Sequence, residues 1–199
     1  MNINEMGICK IGVTIIRTPS DILESRLTPH ILGELVPFFG NPLFPMKVIH
    51  ISYLHGGETY TLALRRRGCV LTKAAQRLVS FLDNAPQQKR IKIKEEKETL
   101  LLVLPYGFFG RRTPEQILDV LERTRFIQPC SQDTAPRLRI AYANGEQPYG
   151  EELAVVHRPI NAAAEFLTVG NVNGGSHIIG SVVASIPERM RPVVSFVQY

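Results

Sequence analysis

Cysteine is scarce in this chain and badly spaced for joint chemistry. Cys9, Cys69 and Cys130 are odd in number, far apart, and never in a C-x-x-C pair, which argues against a disulfide framework and against a zinc site. A reducing compartment is the expectation that follows. No apolar run approaches the roughly 20 residues that span a bilayer, so no membrane span is expected. Met1 to Lys10 has no basic start followed by an apolar stretch, so no secretory leader is expected either. There is no Asn-x-Ser/Thr sequon, no internal repeat and no low-complexity tract. The five histidines, His30, His50, His55, His157 and His177, include no pair at i+3 or i+4, which removes the helical metal pair.

Motifs for catalysis are missing in the same way. Gly174-Gly175-Ser176-His177 sets a serine beside a histidine, but neighbours on a strand point to opposite faces and the G-x-S-x-G elbow is absent. Gly107-Phe108-Phe109-Gly110-Arg111-Arg112 precedes a helix start, a setting that suits an anion. It lacks the Lys-Ser/Thr of a nucleotide loop, so a tight turn with aromatic anchors is the preferred reading. Glu151 and Glu152 are adjacent, which on a strand does not make a working acid pair. Cys69 follows Arg67 closely, but the expected role is a small buried hydrophobe. No catalytic residue, metal or cofactor is expected, and the chain reads as a non-enzyme.

What is present is an ordinary globular mixture, 44% hydrophobic and 21% charged, long enough at 199 residues to bury a core. Ile11, Val13 and Ile15 alternate as on a strand. Thr18-Pro19-Ser20-Asp21 and Thr28-Pro29 open a helical stretch over about 20–37. Met46–Leu54 and Thr59–Leu64 read as strands joined by a His55-Gly56-Gly57-Glu58 hairpin loop. Thr72 caps a helix to about Asn84, with Ala75, Leu78, Val79 and Leu82 as its buried stripe. Arg90 to Lys94 alternates like a strand, Glu95 to Glu98 forms a charged turn, and Thr99 to Leu104 is a buried strand. Thr113-Pro114-Glu115-Gln116 starts a helix that runs to about Arg125. Gln128 to Pro136 is a polar connector, and beyond it only strands and turns are expected. Those turns are Asn144-Gly145, Pro148-Tyr149-Gly150 and Asn173-Gly174-Gly175, with Ala162 to Phe166 the one helical candidate. The expected class is therefore α+β. A mixed α/β part over 1–130 has about three helices and β-hairpins, and a small antiparallel β part occupies 131–199.

The charge is unevenly placed. Between Arg65 and Lys94 nine basic residues face the single acid Asp83, a net +8 in a chain of net +5. Arg65, Arg66, Arg67, Lys73, Arg77, Arg90, Lys92 and Lys94 are the candidate phosphate contacts. The competing reading is a solvated face whose lysines guard an edge strand. Phe81 is the only aromatic residue among these cations, so a stacking platform is not expected.

Near the C-terminus, Gly180-Ser181-Val182-Val183-Ala184-Ser185-Ile186-Pro187 is followed by Arg191-Pro192. This resembles a pattern in bacteriophage tail-fibre and receptor-binding tips, where a strand ending in a small residue, Leu or Ile and Pro is followed by Arg-Pro and another strand. The match spans residues 167–196. Arg189 stands where such tips often have glycine, and the chain stops at Tyr199, where such a domain continues. Pro187 would end one strand, Pro192 would stiffen entry to the next, and the residues between would cross between sheets. A second echo, Asn41-Pro42-Leu43-Phe44 with Arg65 to Leu78, is similar to the end of a LysR-type DNA-binding domain, with residues 45–64 lying between the two pieces.

Two functions are expected from this. The first is a non-enzymatic structural or assembly protein, a tailed-phage virion component of the fibre, baseplate or connector, acting as a homo-oligomer or in a larger protein assembly. The alternative is a nucleic-acid-binding regulator that uses the basic segment 65–94. The location is the virion in the first case and the cytoplasm otherwise.

Overall fold

A computed structural model of the chain describes residues 8–16, 46–54, 58–84, 96–124, 127–143, 147–160, 165–172, 176–182 and 184–196. The strands are β1 (Ile8–Ile16), β2 (Met46–Leu54), β3 (Val70–Leu71), β4 (Glu96–Val103), β5 (Ile127–Gln128), β6 (Glu152–Val155), β7 (Phe166–Val172), β8 (Ser176–Val182) and β9 (Arg191–Phe196). The helices are α1 (Tyr60–Arg66), α2 (Lys73–Asp83), α3 (Pro114–Glu122) and α4 (Thr134–Tyr142). The strands form one mixed sheet in the order β1-β2-β4-β9-β6-β7-β8-β3, with β5 also pairing β9. β9–β6 and β8–β3 run parallel; the other pairs are antiparallel.

Both faces of the middle of this sheet are buried, and the alternation along β2, β4, β6 and β7 shows how. Ile49 and Ile51 of β2, Leu101 and Val103 of β4, Leu153 and Val155 of β6, and Leu167 and Val169 of β7 enter one core with α1, α2 and α4. Their alternates Val48, Leu102, Ala154, Phe166 and Val194 enter a second core with Ile117 and Leu121 of α3. Period-two side chains with apolar residues at both phases give near-continuous hydrophobic runs, as in 100–104, and demand cover on both sides.

Two helices follow their capping chemistry. In α2 the Thr72 hydroxyl accepts from the Ala75 N–H at 3.3 Å, and Ala75, Leu78, Val79 and Leu82 form the buried stripe. In α3 Thr113 and Gln116 close a reciprocal capping box at 3.4 and 3.0 Å, with Pro114 at the first turn. Gly180 of β8 makes room for the Thr168 side chain of the neighbouring β7. A Cβ there would stand 2.8 Å from Thr168 Oγ1 and 3.8 Å from Thr72 Cγ2, and the Thr72 N–H donates to the Ile179 carbonyl at 3.0 Å.

Several expectations need correction. Tyr60–Arg66 is helix, not the second strand of a hairpin, because its N-terminus is capped from a distance. Thr59 Oγ1 accepts from the Leu62 N–H, and the carboxylate of Asp83 accepts from the N–H groups of Tyr60 and Thr61 at 2.7 and 3.1 Å. Glu96 to Glu98 belong to β4 rather than to a turn. The C-terminal part is only partly antiparallel β. It contains α4, where strands alone were expected, and β6 pairs β9 in parallel. The sheet also runs across residue 130, since β9 hydrogen-bonds both β4 and β6. β8 ends at Val182, well before Pro187. The residues after it do not cross between two sheets; Ile186 and Met190 pack into the α3-side core of the same sheet. The turn at Pro148-Tyr149-Gly150 is present, with Gly150 at φ 79°. The expected helix over 20–37, the Arg90–Lys94 strand, the His55–Gly57 loop, and the Asn144-Gly145 and Asn173–Gly175 turns lie outside the described residues.

Candidate nucleic-acid interface

The buried stripe of α2 fixes what the opposite side presents. With Ala75, Leu78, Val79 and Leu82 inward, Lys73, Gln76, Arg77 and Phe81 are exposed and Ser80 is half-exposed. Lys73, Gln76, Arg77 and Ser80 line an open groove. Lys73, Arg77 and Phe81 follow each other at i, i+4 and i+8, so they form one ridge along the helix. No acidic residue occupies the first turn of α2. Its one acid, Asp83, is turned away into the cap of α1, where it also accepts from Thr61 Oγ1 at 2.5 Å.

The other expected cations divide into three groups. Arg65 and Arg66 are exposed at the end of α1, but Arg66 is drawn to Glu58, its Nη1 3.2 Å from Oε2. Arg67 lies 3.7 Å from the other Glu58 oxygen and donates to the Ala63 carbonyl at 3.0 Å. Glu58 itself is buried, so this pairing neutralises part of the arginine run. Arg90, Lys92 and Lys94 lie outside the described residues. Among the described residues of this set, Lys73 and Arg77 share the ridge of α2, and Arg65 is exposed at the end of α1.

Protein-family models, curated proteins and solved structures give no match to this chain.

The other candidate groups resolve into structural roles. His157 is fully buried. Its Nδ1 donates to the Arg158 carbonyl at 2.9 Å, and its Nε2 accepts from the Leu167 N–H at 3.0 Å. Burial pushes its pKa below the ordinary value, so it stays neutral with one fixed tautomer. Cys130 is buried and donates to the Val193 carbonyl at 3.5 Å, and burial pushes its thiol far up. At 107–112 a tight turn is formed, with Gly107 and Gly110 at φ 67° and 58°. Phe109 is buried in the core and stacked edge-on to Phe108. Behind that turn the Gln116 N–H of α3 is engaged by the capping box, and Arg112 donates to the Phe109 carbonyl. Among the described residues no group of three or more His, Cys, Asp or Glu is placed to hold a metal ion. No helix among them is long and apolar enough to cross a membrane.

A buried polar cluster escaped the sequence reading altogether. Arg137 and Arg139 lie in α4, all nine residues of which are buried. Arg137 donates to Thr99 Oγ1 at 2.9 Å; Arg139 Nη1 donates to Gln147 Oε1 and, at 3.0 Å, to the Gly170 carbonyl. Gln147 continues the network, its Nε2 donating to the Glu151 carbonyl at 3.2 Å, while Asn171 Nδ2 donates to the Gln147 carbonyl at 2.7 Å. Glu151 in turn binds Lys47 of β2, with Nζ 2.8 Å from Oε1, and Lys47 stands over the Tyr142 ring at 5.3 Å. Burial pulls the Lys47 pKa down, opposed by the bond to Glu151. In sequence, Arg137-Leu138-Arg139-Ile140 alternates like a half-exposed strand, and nothing in that pattern signals a helix enclosed on every side.

Proposed function

We propose that the chain is a binding protein rather than an enzyme, and that it contacts the phosphate backbone of nucleic acid through the outward ridge of α2. The observation that supports this reading is the set Lys73, Gln76, Arg77 and Ser80 around one open groove, with no acid of α2 facing it. A helix that shows cations and short polar donors on one side suits repeated phosphate oxygens. Phe81, exposed beside Arg77, adds an apolar edge to the ridge. The test is anisotropy of labelled duplex and single-stranded oligonucleotides across a salt series. Binding should weaken steeply with salt and be similar for unrelated sequences. The double variant Lys73→Gln/Arg77→Gln should lower the slope of log K against log salt by about 2 on a duplex. Absence of binding at low salt, or an unchanged slope in the variant, overturns the reading.

A second reading, assembly with other protein chains, is favoured by three large apolar residues exposed in the same α1–β3–α2 segment: Leu62, Val70 and Phe81, the last 56% exposed. Here the chain would act as a virion or other assembly component. Sedimentation decides between them: an oligomer dissolved by Phe81→Glu, with no salt-dependent binding to nucleic acid, makes assembly the better account.

A further inference from the structure

The outward side of α2 carries two rows of different chemistry. Lys73, Arg77 and Phe81 stand four residues apart on one, and Gln76 and Ser80 stand on the next, with the open groove lined from both. The whole first row is exposed, Phe81 at 56%. The acid of α2, Asp83, is spent on the Tyr60 and Thr61 N–H groups of α1. The cations of α2 therefore run in single file and lead to an aromatic ring, while the other wall of the groove is neutral, an amide and a hydroxyl.

That order suits one strand of nucleic acid better than two. A duplex presents paired phosphate rows with its bases stacked between them, where an exposed ring finds no base face to meet. A single strand presents one phosphate row, and its unstacked bases can lie on a ring. One helical turn, about 6 Å along the axis, separates Lys73 from Arg77 and Arg77 from Phe81. The long stems of the two cations reach phosphates that follow each other along one strand, and the ring stands one turn further on. Gln76 and Ser80 each offer a donor and an acceptor, which suits sugar hydroxyls and base edges rather than charge.

We propose that the α2 ridge is a single-strand site, in which Lys73 and Arg77 hold successive phosphates of one strand and the Phe81 ring stacks on a base beside them. The proposal rests on the phosphate-backbone reading above and adds to it the kind of nucleic acid and a role for the ring. Phe81 is the only aromatic residue between Arg65 and Lys94, so the site makes one stacking contact and is not an extended platform. Every base has a face to offer the ring, so strand type and not sequence is what the site selects.

Anisotropy titrations of the full chain with a short mixed-sequence strand, as DNA and as RNA, and with the DNA duplex of the same sequence test this at matched salt. Either single strand should bind more tightly than the duplex. Phe81→Leu keeps an apolar side chain at an exposed position and good helix propensity but loses the ring face. It should weaken single-strand binding by at least about fivefold, the low end of what one base–aromatic stack is worth, and leave duplex binding and the single-strand salt slope unchanged. The chain has no tryptophan, so Phe81→Trp supplies a lone reporter, whose emission should be quenched by saturating single strand and not by duplex. A duplex bound as tightly as the strand, or a loss in Phe81→Leu that is equal on both, overturns the proposal. So does a Phe81→Leu change in sedimentation mass without a change in binding, which would place the ring against another protein chain. Duplex binding that depends on Lys73 and Arg77 but not on Phe81 removes this proposal and leaves the phosphate reading standing, whereas no binding of either form at low salt removes both.

Discussion

Lys47 and Glu151 carry opposite charges at 7% and 9% side-chain exposure, in contact at 2.8 Å, so their value lies in their being together. Removing one partner strands the other in the core. Glu151→Gln should cost about 3–5 kcal/mol of stability, whereas Lys47→Met with Glu151→Leu should fall much closer to the parent. Urea unfolding at neutral pH reads both; equal losses for the single and the double change would show that the pair matters only as packing. His157 gives a residue-scale prediction with a sign. Its folded pKa lies below the unfolded value near 6.5, so the unfolded chain takes up the proton first on acidification. The stability that neutral His157 supplies is complete above that value. It is lost as pH falls from there toward the folded pKa, by at most about 1.4 kcal/mol per pH unit. Gln keeps a donor and an acceptor without titrating. His157→Gln should therefore lose less stability than the parent between about pH 7.5 and about pH 5.5. Parallel curves would assign the acid loss to other groups.

Among the elements, α1 shows how a distant residue can overrule local preference. Thr59, Tyr60 and Thr61 favour strands by propensity, and the glycines before them suggest a hairpin. Asp83, twenty-odd positions later at the end of α2, supplies a carboxylate to the first N–H groups of α1 and so completes a helix that is only seven residues long. Asp83→Ala should therefore destabilise by about 1–2 kcal/mol through α1, although the residue belongs to α2. Hydrogen exchange should show lost protection at Tyr60 and Thr61, and a loss confined to the last turn of α2 would refute this account. The same contrast explains what the sequence made legible. α2 and α3 carry their caps within one stretch of chain, so their starts could be read directly, and for α2 the buried stripe as well, with the outward Lys73 and Arg77. α4 could not be read, because a helix buried all round has no polar stripe to set its period. Nothing in the sequence marks Arg137 and Arg139 as buried, because burial of arginine depends on partners, Thr99, Gln147 and Gly170, that come from other strands and loops.

Over the whole molecule, the position of the last strand decides how the chain holds together. β9 lies between β4 and β6, so a strand from the C-terminal end joins the β1-β2-β4 group to the β6-β7-β8 group. Its two neighbours differ in direction, antiparallel to β4 and parallel to β6, and Val193 and Val194 feed the two cores on opposite faces of the sheet. Arg191 reinforces the join by donating to the Leu104 carbonyl at 3.2 Å. Removal of β9 thus opens two inner edges at once and uncovers apolar surface on both faces. The full chain should unfold in one transition, with the melting followed by circular dichroism coinciding with that followed by tyrosine fluorescence. A fragment of residues 1–130 keeps β1, β2 and β4 but lacks β9 and α4, which packs across β1 and β2 on the α1 side. It should be largely unfolded or aggregated by itself, and the fragment 131–199, left without β4, should fare no better. Mixing the two should restore the transition of the intact protein, because the contacts that define the sheet are shared between them. A fragment 1–130 that melts cooperatively without its complement would mean that the first core is sufficient without β9, and that the join through the last strand is a docking of two folded parts.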